Sequence, residues 1–189
     1  IAPLSENATH FVFENGKISI LINKETGLID KYEANGTNLL KENSGKILVY
    51  KDNEDPWGMT NDGFYDKLGE FTLLSKEEAN KFAGYPNADC ENVHVIENGD
   101  ARAKIQATFK NRNSFAVVTY SLPKKDIYID TDIKIFANDV NTLYKLSFDT
   151  DFDFRTYEDH YICGNGDCHI KVGAMSGDIS ILKGISSMK

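Results

Sequence analysis

The chain is short of cysteine, short of positive charge and without any long apolar run. Three cysteines, Cys90, Cys163 and Cys168, do not make a secreted disulfide framework. With 189 residues the chain can build its core from apolar burial alone. Lys and Arg number 21 against 29 Asp and Glu, a formal charge of -8. That balance excludes nucleic acid as the main partner, since phosphate binding needs a basic footprint, and also an anionic membrane surface. No apolar stretch approaches the roughly 18 residues of a membrane helix. Ile1 to Leu4 is too short for a signal peptide and has no basic n-region. The motifs GxSxG, HExxH, the P-loop and a strand–GxGxxG–helix unit are all missing. What remains is an ordinary globular composition, 41% hydrophobic and 26% charged, which fits one large domain over 1–189. The chain starts without Met and leads straight into patterned sequence, so we read it as an excised piece of a longer protein.

The dominant hydrophobic period is two. Residues 17–23, 126–136 and 143–148 alternate polar and apolar positions, as half-buried strands do. Runs at 10–14, 28–33, 46–51, 69–74, 92–97, 101–109 and 114–122 also read as strands. Turn residues separate them: Lys24 to Gly27, with Gly27 free to take a positive φ, then Asn98-Gly99-Asp100, Asn111-Arg112-Asn113 and Pro123-Lys124-Lys125. One short helix is predicted at 75–82, opened by a Ser75/Glu78 capping box. The fold class expected is all-β, a large antiparallel sandwich with at most that one helix. The pattern weakens over 155–189, which reads as an edge of the domain.

Residues 50–65, YKDNEDPWGMTNDGFY, are the most suggestive for chemistry. Pro56 and Gly58 bar regular structure there. A Trp ring stacks on the C–H face of a pyranose while carboxylates take its hydroxyls, so Asp52, Asp55 and Trp57 are candidate sugar contacts. Glycoside hydrolysis needs paired carboxylates about 5–5.5 Å apart for retention or about 6.5–9.5 Å for inversion, and Asp52 with Asp55 is a formal pair. A purely structural loop, with Trp57 capping the core, is the competing reading. Cys163, Cys168 and His169 are weak metal candidates, because adjacent residues of a strand face opposite ways and rarely share one ion. Free thiols and a local Cys163–Cys168 bridge stand beside that reading. Asp149, Asp151 and Asp153 alternate like the start of a calcium loop, but Phe154 stands where its glycine belongs and His160 where its Glu belongs. They read instead as the solvated face of a strand. Asn7-Ala8-Thr9 and Asn35-Gly36-Thr37 match the glycosylation acceptor triplet, a pattern short enough to arise by chance. His10 and His94 read as packing or surface residues within strands.

The order of segments resembles a known family. Phe11 to Leu40, with Asn15, Asn23, Thr26, Gly27 and Ile29 at marked positions, resembles the opening of the C-terminal β-domain of glycoside hydrolase family 38 α-mannosidases. Tyr50 to Met59 resembles the Asp- and Trp-containing loop that follows. Val95 to Gly99, Arg102, the Ser114 strand, Tyr120 to Pro123 and Leu143 to Leu146 resemble its next strands, in order. The likeness covers about residues 10 to 150 and fades beyond, where the family's Trp-containing strand has no counterpart.

The resemblance implies a supersandwich similar to galactose mutarotases, packed on an N-terminal catalytic α/β domain. It also implies zinc as the cofactor of the parent enzyme, mannosides as the carbohydrate, and a nucleophilic Asp and zinc ligands lying outside this chain. The expected role is non-catalytic: bracing the catalytic domain and lining part of the sugar cleft. A free-standing carbohydrate-binding module is the alternative. A mutarotase-like epimerase is a further one, with His94 and Glu97 as acid and base, although at i and i+3 a regular strand sends them to opposite faces. Lys in excess over Arg, with abundant Asn and Ile, suggests a bacterial, cytoplasmic source.

Overall fold

The computed structural model describes residues 3–52 and 65–150, and beyond them the backbone of three further strands. The chain falls into two compact units, 1–150 and 151–189.

Five strands of the first unit form one antiparallel sheet in chain order: β1 (Leu4–Glu6), β2 (His10–Glu14), β3 (Ile18–Asn23), β4 (Ile29–Ala34) and β5 (Thr37–Asn38). Period-two alternation sets its faces. Phe11 and Phe13 of β2 and Ile18, Ile20 and Ile22 of β3 are buried, while their neighbours are half-buried or exposed. The second sheet joins β12 (Asp130–Phe136), β11 (Ser114–Pro123), β10 (Arg102–Asn111), β9 (Val93–Asn98) and β8 (Thr72–Leu73). Its central hairpin, β10–β11, pairs ten residues with ten, from Arg102↔Pro123 to Asn111↔Ser114. Strand β10 has β11 on one side and two partners on the other: β9 along Ala103–Ala107 and β8 along Phe109–Lys110. A third sheet orders β13 (Thr142–Ser147), β6 (Lys46–Lys51) and β7 (Lys67–Glu70).

The inward faces of these sheets share one apolar cluster. Phe11, Phe13, Ile20, Ile22 and Ile29 come from the first sheet, Ile105, Phe109, Val118, Tyr120 and Leu122 from the second, and Ile47 and Val49 from the third. This is the expected all-β sandwich. The helix is present as α1 (Lys76–Phe82), and both halves of its capping box form. Among the described residues no helix is long and apolar enough to cross a membrane.

Several boundaries differ from the sequence reading. The run 69–74 is not one strand. It breaks at Phe71, which is buried edge-on against Tyr144, so that β7 pairs with β6 while β8 pairs with β10. The alternating run 126–136 enters the sheet only at Asp130. Its first residues are held by side chains of the opposite sheet instead: Asn15 Nδ2 donates to Asp126 O at 2.7 Å, and Tyr32 Oη donates to Ile127 O. Ile127 and Tyr128 are therefore exposed despite their pattern. The Asn98-Gly99 pair does not form a tight two-residue turn. Gly99 keeps a negative φ, and its N–H donates to Arg102 O at 3.1 Å across a wider loop. The two-residue turn with both residues left-handed is at Asn35 (φ 50) and Gly36 (φ 79), joining β4 to β5. Asp149 lies outside any strand, its backbone tied to the fully buried Ser44 hydroxyl. Asp151 and Asp153 lie outside the described residues.

The second unit holds three antiparallel strands, β14 (Tyr157–Ile162), β15 (His169–Ala174) and β16 (Ser180–Gly184), in that order.

Candidate functional site

Of the sugar-contact candidates, Asp52 lies at the rim of the third sheet. Asp52 follows β6 directly, is half-buried, and donates its N–H to Asn141 O at 2.8 Å. On the returning side Lys51 N–H donates to Asp66 O at 2.9 Å, so the chain leaves and re-enters the sheet at one point. Beside that point Tyr50 carries the Lys145 ammonium 4.4 Å from its ring centroid, and Tyr65 is 82% exposed. Asp52 thus stands just past the end of β6, two residues beyond Tyr50. Asp55 and Trp57 lie outside the described residues, so their distances to Asp52 are not part of the geometry. The same holds for Cys163 and Cys168; His169 opens β15, its backbone paired with Ile162 and Gly184. Among the described residues no three His, Cys, Asp or Glu side chains converge as a metal site, and Cys90 is exposed and free.

The residues that carry the family resemblance have well-defined places. Asn15 Oδ1 accepts from Lys17 and Ile18 N–H at 3.0 and 3.1 Å, while its Nδ2 donates to Pro123 O and Asp126 O. One side chain therefore closes the β2–β3 turn and ties it to the connection between β11 and β12. Asn23 Oδ1 accepts from Glu25 and Thr26 N–H, shaping the next turn. Gly27 has φ +71, and a Cβ there would come within 2.8 Å of Phe109 Cζ and 3.1 Å of Ala107 Cβ. Its carbonyl accepts from the fully buried Tyr120 hydroxyl at 2.9 Å. Only glycine allows this backbone to approach the second sheet so closely.

A polar group that the sequence reading missed lies just beyond. Asp30 Oδ2 accepts from His10 Nε2 and from Asn23 Nδ2, both at 2.8 Å, and Oδ1 accepts from Asn43 N–H at 3.0 Å. Burial pushes the Asp30 carboxyl up, but these hydrogen bonds outweigh it and hold the group below the usual carboxylate range. His10 Nδ1 meets the Thr9 hydroxyl at 2.8 Å. The ring is thus fixed between a hydroxyl and a carboxylate, and it joins β2 to β4. The pairing of His10 with Asp30 across twenty residues leaves no local spacing signal.

A cleft of about 360 Å³ lies between α1 and the β10–β11 hairpin, lined by Leu74, Glu78, Lys81, Phe82, Lys110 and Phe115. Phe82 stacks on Phe115 with centroids 4.7 Å apart. His94 and Glu97 do not fall on opposite faces as their spacing suggests. A bulge in β9 sets Val95 against Ile105 and Glu97 against Lys104, so His94 and Glu97 share the face of Gln106 and Lys104. Glu97 is engaged there by Arg102 at 2.9 Å and Lys104 at 3.6 Å, and His94 Nδ1 by the Glu91 carbonyl.

No curated protein matches the chain. The family described as glycosyl hydrolases family 38 C-terminal domain matches residues 13–166. The match runs past residue 150, where the likeness read from sequence ended. It spans the Asn15–Gly27 turns, the Tyr50 rim and the whole second sheet described above. On that extent of matching sequence, and with the expected β-sandwich observed, the chain belongs to glycosyl hydrolase family 38 as its C-terminal domain.

Proposed function

We propose that this chain is the non-catalytic β-half of an α-mannosidase-like hydrolase, bracing the catalytic domain and supplying part of the sugar cleft's rim. The observation that carries the reading is the use made of the family's marked residues. Asn15, Asn23 and Gly27 are spent on turns and on the contact between sheets. A residue enclosed by Phe109, Leu73 and Ala107 serves a scaffold. The nucleophilic Asp and the zinc ligands are assigned by this reading to the N-terminal part of the parent polypeptide. The segment rooted at Asp52 and Asp66, which contains Asp55 and Trp57, is the part assigned to the mannoside.

The test uses the isolated chain and the parent enzyme side by side. The chain alone should neither hydrolyse an aryl α-mannoside nor bind mannose by calorimetry. In the parent enzyme, Asp52→Ala together with Trp57→Ala should raise KM while the fold, read by circular dichroism, is kept. Mannoside binding by the isolated chain, with a Trp57 fluorescence change, would favour a carbohydrate-binding module instead. Turnover by the isolated chain would overturn the non-catalytic reading.

A further inference from the structure

Three Asn-Gly steps occur among the described residues: Asn15–Gly16, Asn35–Gly36 and Asn98–Gly99. Such a step is chemically labile, because the unhindered glycine nitrogen can reach the side-chain amide carbon of the residue before it. The fold treats the three very differently, and we propose that of the three it leaves Asn35 as the one open to spontaneous deamidation, converting that residue to aspartate or isoaspartate in the native protein.

Asn15 is held on both sides of its amide. Its oxygen accepts from two backbone N–H groups, and its nitrogen donates to two carbonyls of a distant connection. Turning its carbon toward Gly16 would break all of these bonds. At Asn98 the attacking group is the one engaged, since Gly99 N–H donates to Arg102 O at 3.1 Å. The residues on either side of that loop belong to β9 and β10, paired from Ala103↔Asn98 onward.

Asn35 has neither restraint. Its side chain makes no hydrogen bond with the described residues, and Gly36 N–H donates to none of them. Asn35, Gly36, Thr37 and Asn38 are all exposed, and nothing lies within 4 Å of the space beside Gly36 Cα. The turn is closed by a strand of only two residues, Thr37–Asn38, with Asn35 N–H donating to Lys17 O at 3.2 Å and Leu39 N–H to Tyr32 O at 2.7 Å, so opening it breaks few contacts. The native turn conformation, with both φ positive, must open before reaction, and this short hairpin is the one that can open cheaply.

The chemistry balances with water as the only co-reactant. Gly36 N gives up its proton and attacks Asn35 Cγ. The new C–N bond closes a succinimide ring as the Cγ–Nδ2 bond breaks, and the nitrogen leaves as ammonia. Water then opens the ring at either carbonyl, giving aspartate or isoaspartate, with no change of oxidation state. Each event adds one negative charge to a chain already at -8. The isoaspartate product carries the main chain through the former side chain, which the two-residue turn cannot accommodate, so β5 detaches from β4.

The experiment incubates the full chain, made in a bacterial host, at mildly alkaline pH in water enriched in oxygen-18. Label in each Asn-Gly step is then read by peptide mass spectrometry, with fragmentation to separate Asn35 from Asn38. In denaturant the three steps should label at similar rates. In the native protein Asn35 should label at least about tenfold faster than Asn15 and Asn98. Equal native rates at the three steps, protection of Asn35 matching theirs, or label at Asn38 in place of Asn35 would each overturn the proposal.

Discussion

Replacing Gly27 by alanine tests whether the sheets are joined as described. The substitution adds one methyl group at φ +71, directed at Phe109 Cζ (2.8 Å), Leu73 Cδ1 (3.0 Å) and Ala107 Cβ (3.1 Å). The left-handed backbone costs an L-residue about 1–2 kcal/mol, part of which is offset by the stiffer unfolded chain. Overpacking a filled core adds about 1–3 kcal/mol. Together these give a loss of about 2–4 kcal/mol, a large share of the roughly 5–15 kcal/mol that holds a native domain together. At about 2–4 °C per kcal/mol for a chain of this size, Tm should fall by roughly 4–16 °C. Gly16→Ala is the matched control, with φ +82 and nothing within 4 Å, so it carries the backbone cost alone. Urea unfolding followed by circular dichroism measures both. If Gly27→Ala loses no more stability than Gly16→Ala, the close contact between sheets is not what requires glycine there, and the reasoning fails.

Other outcomes follow from single contacts. Tyr120→Phe leaves the Gly27 carbonyl buried without its donor and should cost about 1–3 kcal/mol in the same urea titration. Asp30 has a folded pKa below its unfolded value, so its contribution is present above about pH 4 and is lost as pH falls through the folded pKa. Asp30→Asn should therefore destabilise at neutral pH, with the gap to the parent chain closing as pH falls through the folded pKa; a gap independent of pH would refute the ionic reading. Ser75→Ala removes the hydroxyl that accepts from Glu78 N–H, one half of the capping box, and should cost about 1 kcal/mol, seen as faster amide hydrogen exchange in α1 with the sheets unchanged.

Much of the sandwich was legible because strand burial repeats every two residues. Ile18, Ile20 and Ile22, and Ala116, Val118, Tyr120 and Leu122, announce their inward face by position alone. The helix was legible for a local reason too, since Ser75 and Glu78 are three residues apart and satisfy each other's backbone. Where prediction failed, a distant partner intervened. The run 126–129 alternates like a strand, yet Asn15 and Tyr32 take its carbonyls. Residues 69–74 look continuous, but burial of Phe71 sends its two halves to different sheets. His94 and Glu97 were assigned opposite faces by a rule that one bulged residue overturns.

The candidate site divides along the same line. Sequence could name Asp52 for its residue type and neighbours, and the fold then placed it at the end of β6, tied to Asn141 by its N–H. By itself the sequence determined the all-β class, the inward faces of its strands, the helix cap and the family likeness, because each is written in periods or motifs a few residues long. Only the tertiary structure decided that Gly27 sits against Phe109, that His10 meets Asp30, and that the amides of the three described Asn-Gly turns are held so differently. Those facts depend on groups tens of residues apart, brought together when sheets stack, and no local pattern encodes that meeting.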